Sequence, residues 1–190
     1  MKFKIHEYQK SNLKIVIKNL LILLLTTFTL SSCNKDNDKP LTELEKLPAA
    51  TQTGANKVGC LLDGVAFLPD NSPNSTNCFY QFDNGEYYFY LSALNYIGNN
   101  DLVTIAIKTV KKQIFENQQY ELIENLDGNA SGTFFINLEV NSTSMNNTGK
   151  LIITKLTPQI VSGTFWFDVK DNNGIIHQIR EGRFDMQYTN

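Results

Sequence analysis

The chain has 190 residues, 42% hydrophobic and 19% charged, with 17 basic against 19 acidic side chains and a formal charge of −2. That length holds one domain with a real core. The charge balance argues against a nucleic-acid or anionic-membrane binding face, because phosphate binding is driven by clustered Lys and Arg.

Residues 1–32 read as an export signal. Lys2, Lys4, Lys10, Lys14 and Lys18 stand against a single acid, Glu7, and are followed by an apolar run from Leu20 to Leu30 and then by small residues. The run falls short of the roughly 20 apolar residues that span a bilayer, and Lys18 closes it on its N-terminal side; an uncleaved anchor helix is the alternative. Leu30-Ser31-Ser32-Cys33 resembles the lipobox of bacterial lipoproteins. That resemblance implies cleavage before Cys33 and acylation of its thiol, with palmitate-type chains that each contribute about 0.8 kcal/mol per buried CH₂. The expected protein sits on a membrane without crossing it. Removing the signal takes away five lysines and one glutamate, which leaves 12 basic and 18 acidic side chains and a charge of about −6.

Residues 33–53 read as a flexible tether. Asn34-Lys35-Asp36-Asn37-Asp38-Lys39-Pro40 is too polar to bury enough surface to order itself, and Thr42-Glu43-Leu44-Glu45-Lys46-Leu47 is too short to hold a helical turn alone. Acidic residues just behind the lipidated cysteine resemble the surface-export signals of Bacteroidetes lipoproteins, here Lys35-Asp36 and Asp38 with Asn37 interposed. The expected location is the outer membrane with the domain on the cell surface; the periplasmic side is the alternative.

Residues 54–190 read as an all-β domain. Val58–Leu62 and Val65–Leu68 flank Asp63-Gly64, and Cys78–Asp83 and Glu86–Leu94 flank Asn84-Gly85, both dipeptides suited to two-residue hairpins. Further strands are expected at 102–110, 119–123, 133–140, 150–156, 161–169 and 175–188, separated by Gly98-Asn99-Asn100-Asp101, Asp127-Gly128-Asn129, Asn146-Asn147 and Asp171-Asn172-Asn173-Gly174. Alternation assigns faces: Phe134, Ile136, Leu138 and Val140 share one, as do Val103, Ile105 and Ile107, and Val161, Gly163, Phe165, Phe167 and Val169. About ten strands with one buried face each make an antiparallel β-sandwich or a flattened barrel; the alternative is a closed up-and-down β-barrel.

Candidate chemistry is sparse. With Phe165 and Phe167 inward, Trp166 must point outward, and the same logic sets Tyr88 and Tyr90 against Tyr87, Phe89 and Leu91. Exposed Trp and Tyr can stack on sugar rings or on a partner protein, or each can lie under a neighbouring loop. Cys60 and Cys78 can form a disulfide in an oxidising compartment if their strands are neighbours; otherwise both act as small apolar residues. His177 is the only histidine after the signal, so no histidine cluster is available for a metal, and it reads as a polar residue on the last hairpin. No Gly-x-Ser-x-Gly elbow, phosphate loop or calcium loop is present. No catalytic residue, metal ligand set or cofactor is expected. Lys108, Lys111 and Lys112 read as one solvated loop.

Two segments frame this domain. Thr51-Gln52-Thr53-Gly54-Ala55-Asn56-Lys57-Val58-Gly59-Cys60-Leu61-Leu62-Asp63-Gly64 opens it, and Val161-Ser162-Gly163-Thr164-Phe165-Trp166-Phe167 with Glu181-Gly182-Arg183-Phe184-Asp185 closes it. With the lipobox, they resemble an uncharacterised Bacteroidetes lipoprotein family, a domain of unknown function. The resemblance implies membership and carries over no catalytic residue. Physically, Gly54, Gly59 and Gly163 fit bends or close backbone approaches. Arg183 and Asp185 share a strand face where they can join a cross-strand ion network, with Phe184 facing the core. The expected function is that of a lipid-anchored, non-catalytic binding or accessory module of the envelope, with a glycan or another envelope protein as partner. A carboxylate-dependent glycan hydrolase is the alternative.

Overall fold

The computed structural model describes residues 39–189; the export signal, Cys33 and the first part of the tether lie outside the described residues. Eleven strands follow in order: β1 (Lys57–Leu62), β2 (Val65–Phe67), β3 (Thr76–Asp83), β4 (Glu86–Ile97), β5 (Asp101–Thr109), β6 (Gln119–Leu122), β7 (Ala130–Ile136), β8 (Glu139–Ser142), β9 (Gly149–Leu156), β10 (Ile160–Lys170) and β11 (Ile176–Gln187). The two short hairpins form as their residues dictate. Asp63 and Gly64 have φ of 50° and 85°, and Asn84 and Gly85 have 49° and 85°. Two left-handed centres give a turn whose twist matches that of its strands.

All strands join one sheet, in the order β2-β1-β11-β10-β9-β6-β7-β5-β4-β3, with β8 added to β7. The ladders are antiparallel except at a single pair, Leu122 with Ala130, where β6 meets β7 in parallel. The sheet is folded over on itself as a sandwich-like all-β structure and does not close, which corrects the closed-barrel alternative. At the edge strand β2, Ala66 N–H donates outward to Glu43 Oε2 at 2.8 Å. Among the described residues, the β3 edge receives one parallel bridge, between Phe79 and Thr189.

The inward faces follow the predicted alternation. Val103, Ile105 and Ile107 of β5, and Val161, Phe165, Phe167 and Val169 of β10, are all buried. Side chains of β1, β10 and β11 meet those of β4, β5 and β7 across the core: the Phe89 and Phe184 rings lie 6.2 Å apart, and Phe165 borders a small apolar cavity with Val58, Leu91 and Ile107. Each fully buried side chain of this size contributes about 1.5–3 kcal/mol. Gly163 is required here, since a Cβ would run into the Ile152 carbonyl and the Phe184 ring.

Two expectations about chain course are corrected. The strand expected over 133–140 breaks into β7 and β8 at Asn137-Leu138, whose φ values are 48° and 87°. Asn137 drives the turn: its Oδ1 accepts from Leu102 N–H at 3.1 Å and its Nδ2 donates to Asp101 at 2.7 Å. Leu138 and Val140 are therefore exposed instead of sharing the inner face with Phe134. The second correction concerns the tether, of which residues 41–53 belong to the folded unit. Thr42 and Glu45 cap one turn reciprocally, Leu47 is buried, and Glu43 holds β2. Tertiary contacts supply what this short segment lacks on its own.

Candidate functional site

Trp166 lies on the outer face of β10, as alternation requires, and is 38% exposed. Its surroundings are set by a β-bulge. Between the pairs Phe165–Gly182 and Phe167–Ile179, two residues of β11, Arg180 and Glu181, stand opposite Trp166 alone. Glu181 takes the strain with a φ of 52°. Bulges of this kind bend the strand and re-aim side chains. Here the bulge brings the Arg180 guanidinium over the indole, 5.4 Å from the ring centroid. Arg180 is fixed there by Nη1 donating to Phe167 O at 3.1 Å and to Ile179 O at 2.9 Å, with Nη2 2.6 Å from Asp168 Oδ1.

Around this pair runs an open groove of about 490 Å³, lined by Lys150, Ile152, Thr164, Trp166, Arg180 and Arg183 among others. Lys150 is the cross-strand neighbour of Trp166. Arg183 bonds Glu181, through Nε to the carbonyl at 3.1 Å and through Nη2 to Oε2 at 3.3 Å. An aromatic face thus sits among three cations, Lys150, Arg180 and Arg183, and two carboxylates, Asp168 and Glu181, each of which pairs with one of the arginines. It can stack on a ring and attract a negative charge.

Tyr88 and Tyr90 lie elsewhere. They occupy the outer face of β4, and the structure does not bring them to Trp166: β9, β6, β7 and β5 intervene along the sheet. Tyr90 stacks on Phe79 with centroids 5.3 Å apart. It borders a separate depression of about 320 Å³ with Thr104, Ala106, Lys108, Thr133 and Phe135. Burial there lowers the Lys108 pKa. The expected lysine loop is divided, because Lys108 is on β5 while Lys111 pairs with Asp127 at 2.5 Å and Lys112 donates to Gly128 O at 2.7 Å.

Cys60 and Cys78 are both free and buried. Their strands β1 and β3 share no ladder, so the structure holds the second arrangement, two thiols acting as apolar residues. Burial pushes the Cys78 thiol up to about 12 and the Cys60 thiol higher still.

The framing motifs converge on Asp185, which is buried. Its Oδ2 accepts from Thr51 Oγ1 at 2.6 Å, Thr53 N at 2.9 Å, Thr53 Oγ1 at 3.2 Å and Ala55 N at 3.2 Å; its Oδ1 accepts from Gly54 N and Ser162 Oγ, each at 2.8 Å. Burial opposes its ionisation, but the bonds from Thr51, Thr53, Ser162 and Gly54 outweigh it and hold the carboxyl far below the usual aspartate range. Asp185 is thus a structural clasp. Arg183, on the same face, pairs with Glu181 at 3.3 Å and not with Asp185. Phe184 faces the core as expected.

His177 has partners that sequence reading missed. Nδ1 lies 2.8 Å from Asp63 Oδ2, and Nε2 lies 3.7 Å from Asp171 Oδ2. Its ring packs 4.5 Å from that of Phe134. The Asp63 turn signal marked the hairpin, but no spacing rule links it to a residue on β11. Among the described residues, no three His, Cys, Asp or Glu side chains are grouped to hold a metal ion. Comparison of the chain with protein-family models, with curated proteins and with solved structures finds no match.

Proposed function

We propose that the protein is a lipid-anchored binding module of the bacterial envelope, attached to the outer membrane through Cys33 and of the Bacteroidetes lipoprotein family that its framing motifs resemble. The observation carrying the binding role is the Trp166 groove. An indole held beneath a fixed guanidinium, with Lys150 and Arg183 on the same surface, suits a ligand that offers both a ring and a negative charge. An acidic saccharide has that chemistry: the apolar face of a pyranose stacks on the indole while its carboxylate meets the cations. The lipobox supports attachment to a membrane by lipid, and the acidic residues Asp36 and Asp38 behind Cys33 support an outer-membrane position with the domain on the cell surface. Protease added to intact cells then removes it; a protein untouched until the envelope is broken faces the periplasm.

Trp166 is the chain's single tryptophan, so tryptophan emission, excited selectively over the tyrosines, reports on the groove. Titration with a panel of uronic-acid-containing and neutral oligosaccharides is expected to shift emission for the acidic members only. Trp166→Ala, followed by calorimetry, is expected to weaken that binding by about tenfold, a loss of about 1.4 kcal/mol. An acidic ligand that binds equally well to the variant would remove Trp166 from the site. A panel without any binder would refute the saccharide reading.

A further inference from the structure

Large apolar side chains are left in solvent in more than one place: Phe82, Phe115 and Leu126 are exposed away from the set that follows. Val65, Leu138, Val140, Met145, Ile175 and Ile176 are all exposed, and all sit on turns or strand ends at one end of the sheet. Contacts between these turns define that end. Asp63 N–H donates to Gln178 O at 2.9 Å and Asp168 N–H to Thr148 O at 3.0 Å. Asn172 N–H donates to Glu139 Oε1 at 2.9 Å, and Asn137 Nδ2 to Asp101 at 2.7 Å. Isolated exposed apolar residues are ordinary, but a gathered set marks an interaction surface.

Leu138 makes the case sharper. It is 94% exposed and has a φ of 87°. That conformation favours glycine and disfavours a branched side chain. The strain secures no burial within the domain. Selection for the fold alone would place glycine there.

The course of the amino-terminal segment says what covers this end. Glu43 is bonded to Ala66, next to Val65, so the chain enters the domain beside the apolar turns. Only residues 34–40 separate Leu41 from Cys33. Fully extended, that stretch reaches at most about 29 Å, and as a relaxed coil about 16 Å. The twelve residues of β11 span about 40 Å at roughly 3.3 Å each. A lipid on Cys33 therefore holds the apolar end near the bilayer, because the far end is out of reach.

We propose that this end of the sheet rests on the membrane, with Leu138 and Ile175 entering the headgroup region as a second contact beside the acyl chains. The proposal rests on the reading of Cys33 as lipidated. The occupant is a lipid surface of zwitterionic headgroups with no net charge. Asp63, Asp101, Glu139 and Asp171 lie at the same end and disfavour an anionic one, and each is bonded within the protein.

The test uses the full mature lipoprotein in phosphatidylcholine vesicles, with Met145→Cys or Glu86→Cys carrying an environment-sensitive fluorophore. Cys60 and Cys78 are buried, which keeps labelling selective. Glu86 follows the hairpin at the opposite end. Lipid-borne nitroxides are expected to quench the label at 145 and not at 86. The double variant Leu138→Gly, Ile175→Asn is expected to lower quenching at 145 about threefold while its melting temperature stays level or rises. Equal quenching at both positions, or at neither, on protein whose mass shows an acylated Cys33 overturns the proposal and leaves the anchor standing. A mass showing bare Cys33 overturns the anchor reading itself. In native envelopes, a label at 145 that crosslinks to protein and is shielded from lipid nitroxides would assign this end to a protein partner and also overturn the proposal.

Discussion

Replacing Asp185 with asparagine tests the clasp most directly. Asparagine keeps one acceptor oxygen and turns the other into an amide donor. Placed to retain the four bonds made at Oδ2, it aims its NH₂ at Gly54 N–H, which lies 2.8 Å from Oδ1. Ser162 can rotate its hydroxyl to accept, but the Gly54 amide cannot. A buried donor left unpaired costs about 1–3 kcal/mol, and losing the charge from the surviving bonds adds about 1 kcal/mol more. A net loss of about 3 kcal/mol is expected. For a domain of this size, each kcal/mol moves Tm by about 2–4 °C, so thermal denaturation is expected to show a fall of about 6–12 °C. Amide hydrogen exchange is expected to quicken at Thr53, Gly54 and Ala55 before the rest of the sheet. The effect also has a pH signature. The folded-state pKa lies below the ordinary value of 3.8, so the carboxylate's contribution is complete above that value and fades as the pH falls towards the folded one. The stability gap between wild type and Asp185→Asn is expected to be full at pH 7 and to narrow progressively below about pH 4. A variant that melts within about 2 °C of wild type, with unchanged exchange at Gly54, would refute the clasp.

Further outcomes are expected elsewhere in the fold. Gly163→Ala forces a methyl against the Ile152 carbonyl and the Phe184 ring; a loss of about 2–3 kcal/mol in urea denaturation is expected, and a neutral substitution would show that β9 and β10 can separate there. In protein acylated at Cys33 as proposed, which leaves that residue no thiol, a disulfide-exchange reagent is expected to find no reactive cysteine in the native state and two in the denatured one. Finding none in either state would establish a Cys60–Cys78 bridge. The Trp166→Ala titration and the vesicle quenching experiment complete the set.

Much of the sheet was legible because its signals are local. Asp63-Gly64 and Asn84-Gly85 carry the left-handed preference of their turns in the dipeptide itself, and alternation in β5 and β10 assigns each side chain a face without reference to any other strand. The outward position of Trp166 follows from its two neighbours alone. Asn137-Leu138 was opaque for the opposite reason: a leucine at positive φ violates turn chemistry, and the apolar alternation across 134–140 reads as one strand. The groove needed the bulge at Arg180 and Glu181, which comes from strand register. The clasp was similarly hidden. Thr51 and Asp185 are separated by 134 positions, and no period or spacing pairs a threonine-rich segment with a carboxylate at that distance. The motifs frame the domain in sequence because they touch in space.

The route taken by residues 41–56 also decides where mechanical load enters the molecule. A lipid at one end and a ligand at the other would put this segment under tension. The weak outer fastenings, Glu43 to Ala66 and the packing of Leu47, would peel first and lengthen the linkage, while the sheet stays whole. Force would then meet Asp185, bonded to several groups at once on a strand flanked by β1 and β10. A carboxylate of that kind shares the load among its bonds, so the anchor segment would behave as an extensible leash with a firm stop before the core is pulled apart.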